Sequence, residues 1–210
     1  MKELRLAFLD KILSSYAHEV RNYLAIIKET NGLMKDVLQV SKSKSIDSKQ
    51  FLGYIGSVED QIARAADITD YLHRFAHRMD CGRIQTSVNE IAEELLALMA
   101  RLAYRKRIAL EKNLRGGIPP TSVDPILLHY LLFSLIDAKM SCFDRNSKIC
   151  VSTSLSGGCA CITLLSKGEP VKEAPAPVCS DEEIRQLASE IGAEISSSGE
   201  ETTIKLPAAV

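Results

Sequence analysis

Apolar residues recur from the start of the chain at Leu6, Leu9, Leu13, Tyr16, Val20, Leu24, Ile27, Met34 and Leu38, mostly in alternating steps of three and four. Steps of that kind keep one stripe of a helix apolar. The polar run Ser41-Lys42-Ser43-Lys44-Ser45-Ile46-Asp47-Ser48 interrupts the pattern, which resumes at Ile55, Val58, Ile62, Ala65, Thr69, Leu72, Ala76 and Met79. Two long antiparallel helices joined by a short turn are predicted. A two-helix hairpin cannot bury both stripes by itself, and near-heptad spacing is what a coiled-coil seam requires. Pairing of two copies into a four-helix bundle is the economical solution, with packing against the rest of the same chain as the alternative.

After Cys81-Gly82 the texture changes to alternating elements. A short strand is expected near 83–87, a helix over 88–104, a strand over 107–112 and a helix over 125–142. Strands over 147–155 and 159–166 follow, then a helix over 181–191 and a closing hairpin of 193–197 with 201–206. Mixed helices and strands in this order predict a two-layer α/β sandwich. Residues 171–178, rich in proline and alanine, read as an irregular loop. The chain thus divides into a helical hairpin, 1–80, and an α/β domain, 81–210.

Composition narrows the classes. The 26 basic and 27 acidic residues are evenly mixed, so no nucleic-acid footprint is expected. The longest apolar run, 125–138, is interrupted by His129 and Asp137 and is shorter than the roughly 20 residues of a membrane span. Charged, amphipathic sequence follows Met1 instead of an apolar signal region, so a cytoplasmic protein without a membrane segment is expected. Six cysteines show no CxxC spacing and are read as reduced thiols.

Within the first helix, His18-Glu19-Val20-Arg21-Asn22 sets a titratable imidazole beside a carboxylate. This run resembles the phospho-accepting H-box of two-component histidine kinases. The resemblance extends over nearly the whole chain: a hairpin carrying the H-box, then an ATP-binding domain of the GHKL (Bergerat) type. Val123-Asp124-Pro125 before Leu127-Leu128-His129-Tyr130-Leu131-Leu132 resembles the entry to the N-box helix, with Ile136-Asp137-Ala138 at its usual Asn-Ala pair. Ile191-Gly192-Ala193-Glu194-Ile195 and Thr203-Ile204-Lys205-Leu206-Pro207 are similar to the last helix and closing hairpin.

The departures are specific. Where the family reads adenine with Asp-x-Gly-x-Gly, this chain has Ser166-Lys167-Gly168-Glu169-Pro170. No glycine occurs in 169–191, although backbone amides need glycine to approach phosphates closely. Asp137 replaces the magnesium-binding Asn, and Phe133 occupies the first such position; Asp could still ligate magnesium. The resemblance therefore points to a degenerate kinase, in the manner of ChpT-type histidine phosphotransferases and their sporulation counterparts, which relay phosphate between response regulators.

That resemblance implies roles. His18 is the expected nucleophile. Glu19 is expected to hydrogen-bond its ring or accept its proton, Arg21 to stabilise phosphoryl charge, and Asn22 to orient a water. Ala25, Ile26, Glu29 and His73 are the expected partner-binding positions, His73 because counting from the turn sets residues 72–73 level with His18. His73 and His77 have metal-pair spacing without a third ligand, so a solvated face is expected and no metal. His129 is expected to be a core or boundary histidine. Expected partners are a second copy, response-regulator receiver domains and an upstream histidine kinase, with no cofactor bound by this chain and Mg2+ supplied by the receiver. An active ATP-dependent kinase and a non-catalytic pseudokinase adaptor remain the alternatives.

Overall fold

The computed structural model describes residues 2–40, 47–171 and 180–207. Residues 41–46 of the expected turn, 172–178 of the expected loop and Cys179 lie outside the described residues.

Two helices, α1 (Lys2–Val40) and α2 (Ser48–His77), run antiparallel, Asp47 capping α2 through its carboxylate to the amides of Lys49 and Gln50. A single 3-10 turn, Arg78–Asp80, leads on. Then come β1 (Ile84–Thr86), α3 (Val88–Lys106), β2 (Ala109–Asn113), β3 (Thr121–Val123), α4 (Pro125–Cys142), β4 (Lys148–Ser156), β5 (Cys159–Lys167), α5 (Asp181–Ile191), β6 (Glu194–Ser198) and β7 (Glu201–Lys205). The main sheet has the order β2-β4-β5-β7-β6, antiparallel except for the parallel β2–β4 pair. Along β4, Ile149, Val151 and Thr153 are buried while the alternate positions are half-exposed, the period-2 pattern of a sheet covered on one face. Helices α3, α4 and α5 supply that cover.

The expected strand near 83–87 does exist, but it pairs with β3 in a separate two-stranded sheet. Strand β3 is three residues long, too short for a periodic signal. Helix α4 is the central core element. By length and composition it could cross a membrane, yet 78% of it is buried inside the fold. Its start is set by Asp124, whose carboxylate accepts from the amides of Ile126 and Leu127, with Pro125 in the first turn. The described cysteines are free thiols.

The hairpin departs from the expected single stripe. Phe8 and Ile12 of α1, with Ile68 and Phe75 of α2, are buried, while Leu6, Leu13, Leu24 and Leu38 of the expected stripe are exposed. Phe8 sits at the centre of an aromatic cluster, its ring centroid 5.5 Å from Phe75, 4.8 Å from Tyr130 and 4.7 Å from Phe133. Helix α1 therefore carries two apolar stripes. One docks the lower hairpin onto α3 and α4 of its own chain, and the other is left facing outward. Both alternatives weighed for the hairpin thus find surface to act on.

Candidate functional site

His18 lies midway along α1, exposed, and makes no hydrogen bond or ion pair among the described residues. Asn22, Ala25 and Glu29 follow at i+4, i+7 and i+11, so they share its helix face, and Arg21 is exposed beside it. Ile26, 40% exposed, turns toward a cleft between the hairpin and α3. The cleft encloses about 520 Å³. Glu19, Asn22 and Ile26 of α1, Gln61 and Arg64 of α2, and Arg101 and Tyr104 of α3 line it.

Glu19 is directed into this cleft. Its carboxylate lies 3.7 Å from Arg101 Nε, and Tyr23, one turn further along α1, lines the same cleft. Burial raises the Tyr23 phenol pKa, and the charge of Glu19 raises it further. Among the described residues no hydrogen bond joins Glu19 to the His18 ring, the contact expected from sequence. Arg101 was not legible as a site residue, because only the docking of α3 against α1 brings it to the H-box.

His73 is not level with His18. The contacts Tyr16 Oη to Thr69 Oγ1 (3.2 Å) and Phe8 on Phe75 set the register, which puts residues 65–67 opposite His18. His73 is six to eight residues beyond, roughly 9–12 Å along the helix. Its Nε2 instead meets His77 Nε2 at 3.0 Å on an exposed face. The register follows the aromatic contacts at the open end of the hairpin, not the midpoint of the connecting segment.

The positions that the resemblance assigns to nucleotide and magnesium are occupied by the hairpin. Asp137 is 3% exposed and both of its carboxylate oxygens accept from Lys11 Nζ at 3.0 Å. Phe133 is fully buried under Phe8, with Lys11 Nζ 5.8 Å from its ring centroid. A recess of about 270 Å³ beside Asp137 is lined by Lys11, Leu102, Arg105 and Lys106. Past β5, Gly168 takes φ 154°, and a Cβ there would come within 2.0 Å of Ser147 Oγ. Glu169 and Val171 then pair back onto Asp144 and Cys142 at the end of α4.

A buried ionic cluster ties the base of the hairpin to the core. Glu94 of α3, 1% exposed, accepts from Arg74 Nε at 3.0 Å and from Arg78. His129 of α4, a core histidine as expected, donates from Nδ1 to the Pro125 carbonyl at 2.8 Å and sets Nε2 3.5 Å from Glu94. Burial pushes the Glu94 carboxyl up, but His129 and Arg78 outweigh it and hold the pKa below its usual value. Among the described residues no group of three or more His, Cys, Asp or Glu side chains could hold a metal ion.

No family model matches the chain. The signal transduction histidine-protein kinase AtoS of Escherichia coli (strain K12) is 26% identical over 149 residues, 71% of this chain and 23% of that protein. The chain thus spans less than a quarter of this relative's length. The catalytic domain of the histidine kinase ThkA superposes with a TM-score of 0.51 at 14% identity, covering 61% of this chain and 99% of that domain. The architecture is that of a helical N-terminal region followed by an α/β domain of the histidine-kinase catalytic (GHKL-like) type. In sequence the chain is related to a signal-transduction histidine kinase.

Proposed function

We propose that this chain is a cytoplasmic, homodimeric histidine phosphotransferase that relays phosphoryl groups between response-regulator aspartates through His18. One contrast carries the reading: the H-box histidine is solvent-facing on a polar helix face, while Asp137 and Phe133 are taken up by Lys11 and Phe8 of the hairpin. Magnesium nucleotide fits the second set poorly. A carboxylate already neutralised by a lysine is a weak metal ligand, and the recess beside it is smaller than the ~300–1,000 Å³ of ordinary ligand pockets. Nor does 169–191 contain a glycine for a phosphate-wrapping turn.

The transfer balances without a further reactant. The unprotonated ring nitrogen of His18 attacks phosphorus of the partner's aspartyl phosphate; a P–N bond forms, the P–O bond to the aspartate breaks, and the aspartate leaves as a carboxylate. The phospho-imidazole retains the proton on its other nitrogen and so carries a positive charge, for which Glu19 is the neighbouring counter-charge. Arg21 and Asn22 are the polar groups of the same helix face available to the phosphoryl oxygens. Mg2+ belongs to the receiver.

The test incubates the protein with radiolabelled ATP alone, and separately with a labelled phospho-receiver, comparing wild type with His18→Ala. Acid-labile label from the receiver only, absent in the variant, is expected. Label from ATP alone would establish an autokinase, and no label in either arm would leave an adaptor.

A further inference from the structure

The mechanism above uses α1 alone, yet the side chain nearest Glu19 from outside the hairpin belongs to α3. We propose that Arg101 is a positioning residue for phosphotransfer, holding the Glu19 carboxylate in the cleft that adjoins the H-box, so that the degenerate domain contributes directly to the H-box chemistry. The inference rests on the phosphotransferase reading.

Three observations carry it. Arg101 Nε is buried and, among the described residues, has no hydrogen-bond partner; the acidic group that faces it is Glu19, at 3.7 Å. The guanidinium is itself oriented, its Cζ 5.5 Å from the Tyr104 ring centroid on the same helix. Glu19 and Arg101 line the same cleft with Tyr23, so the carboxylate and the guanidinium that face each other come from two different parts of the fold. The Phe8 aromatic cluster and the Lys11–Asp137 pair fix α1 against α4, and α3 packs on both helices, which makes the position of Arg101 relative to the H-box a property of the folded chain.

The chemistry gives the clamp a purpose. Attack leaves a cationic phospho-imidazole at His18, and a carboxylate that is already oriented stabilises it without reorganising during the reaction. A freely rotating glutamate would have to be ordered in each cycle. Displacement of a reacting-centre neighbour by about 1 Å costs on the order of a hundredfold in rate, so loss of the clamp is expected to slow transfer ten- to a hundredfold.

Because Arg101 acts through Glu19, the two are tested as a cycle: transfer rates from a labelled phospho-receiver to wild type, Arg101→Ala, Arg101→Lys, Glu19→Gln and the double variant, with receiver concentration varied to separate the maximal rate from half-saturation. Arg101→Ala is expected to lower the maximal rate with little change in half-saturation, and Arg101→Lys to recover part of the loss. The double variant should be no slower than Glu19→Gln. Three results overturn the inference: an Arg101→Ala rate equal to wild type, single effects that multiply in the double variant, or rescue of Arg101→Ala by Glu19→Gln, which would mean that Arg101 only screens a repelling charge. Should Arg101→Ala fail to fold by circular dichroism, Arg101→Lys, which retains charge but not the planar fork, decides by the same comparison. Wild type that accepts no label from the receiver would instead remove the phosphotransferase reading itself.

Discussion

Glu94 shows how one buried charge holds two parts of the molecule together. Its carboxylate answers Arg74 and Arg78 at the end of the hairpin and His129 in the core; burial pushes its pKa up, but His129 and Arg78 outweigh that and keep it ionised below the usual range. An unfolded glutamate has a pKa of about 4.3, so between that value and the lower folded one the unfolded chain binds more protons. The stabilisation is complete above pH ~5 and drains away as pH falls through the folded value. Urea unfolding of wild type between pH 6 and 3 should therefore show a steeper loss than unfolding of Glu94→Gln. Lys11 makes a comparable case. Replacement by Met leaves the Asp137 carboxylate buried without its donor and is expected to cost about 1–3 kcal/mol in the same assay.

Among the elements, the helices with strong local punctuation were readable in the sequence. Asp124-Pro125 starts α4, the Ser180/Glu183 capping box starts α5, and Gly192 at φ 74° ends it. The hairpin was only half readable. A period of three and four picked out Leu13, Leu24 and Leu38, yet the residues that hold α1 down are Phe8 and Ile12, four apart on a neighbouring stripe. Periodicity finds apolar stripes but does not say which of two will be claimed by the same chain. The outward stripe is the surface on which the proposed homodimer would form its seam, with Leu24 58% and Ile62 55% exposed. Leu24→Asp combined with Ile62→Asp should convert a dimer to a monomer in light scattering while leaving far-UV circular dichroism unchanged.

At the scale of the whole molecule, the motif around His18 is contiguous and so stands out in the sequence, whereas Arg101 and Lys11 take their meaning from residues 82 and 126 positions away. No local pattern announces such pairs. The same long-range contacts make the fold cooperative. Phe8→Ala removes a side chain shared by α1, α2 and α4, and is expected to cost about 3–5 kcal/mol. Thermal unfolding of that variant should stay a single transition at a lower midpoint, since hairpin and α/β domain share one buried core.

The placement of Phe8 also bears on how the molecule is made. Ribosomes release chains from the N-terminus, and domains usually fold in that order. Here the eighth residue is completed by Tyr130 and Phe133, more than 120 positions later. The base of α1 waits unfinished until α4 has been synthesised, so the helix that carries His18 locks only after the α/β domain is well advanced.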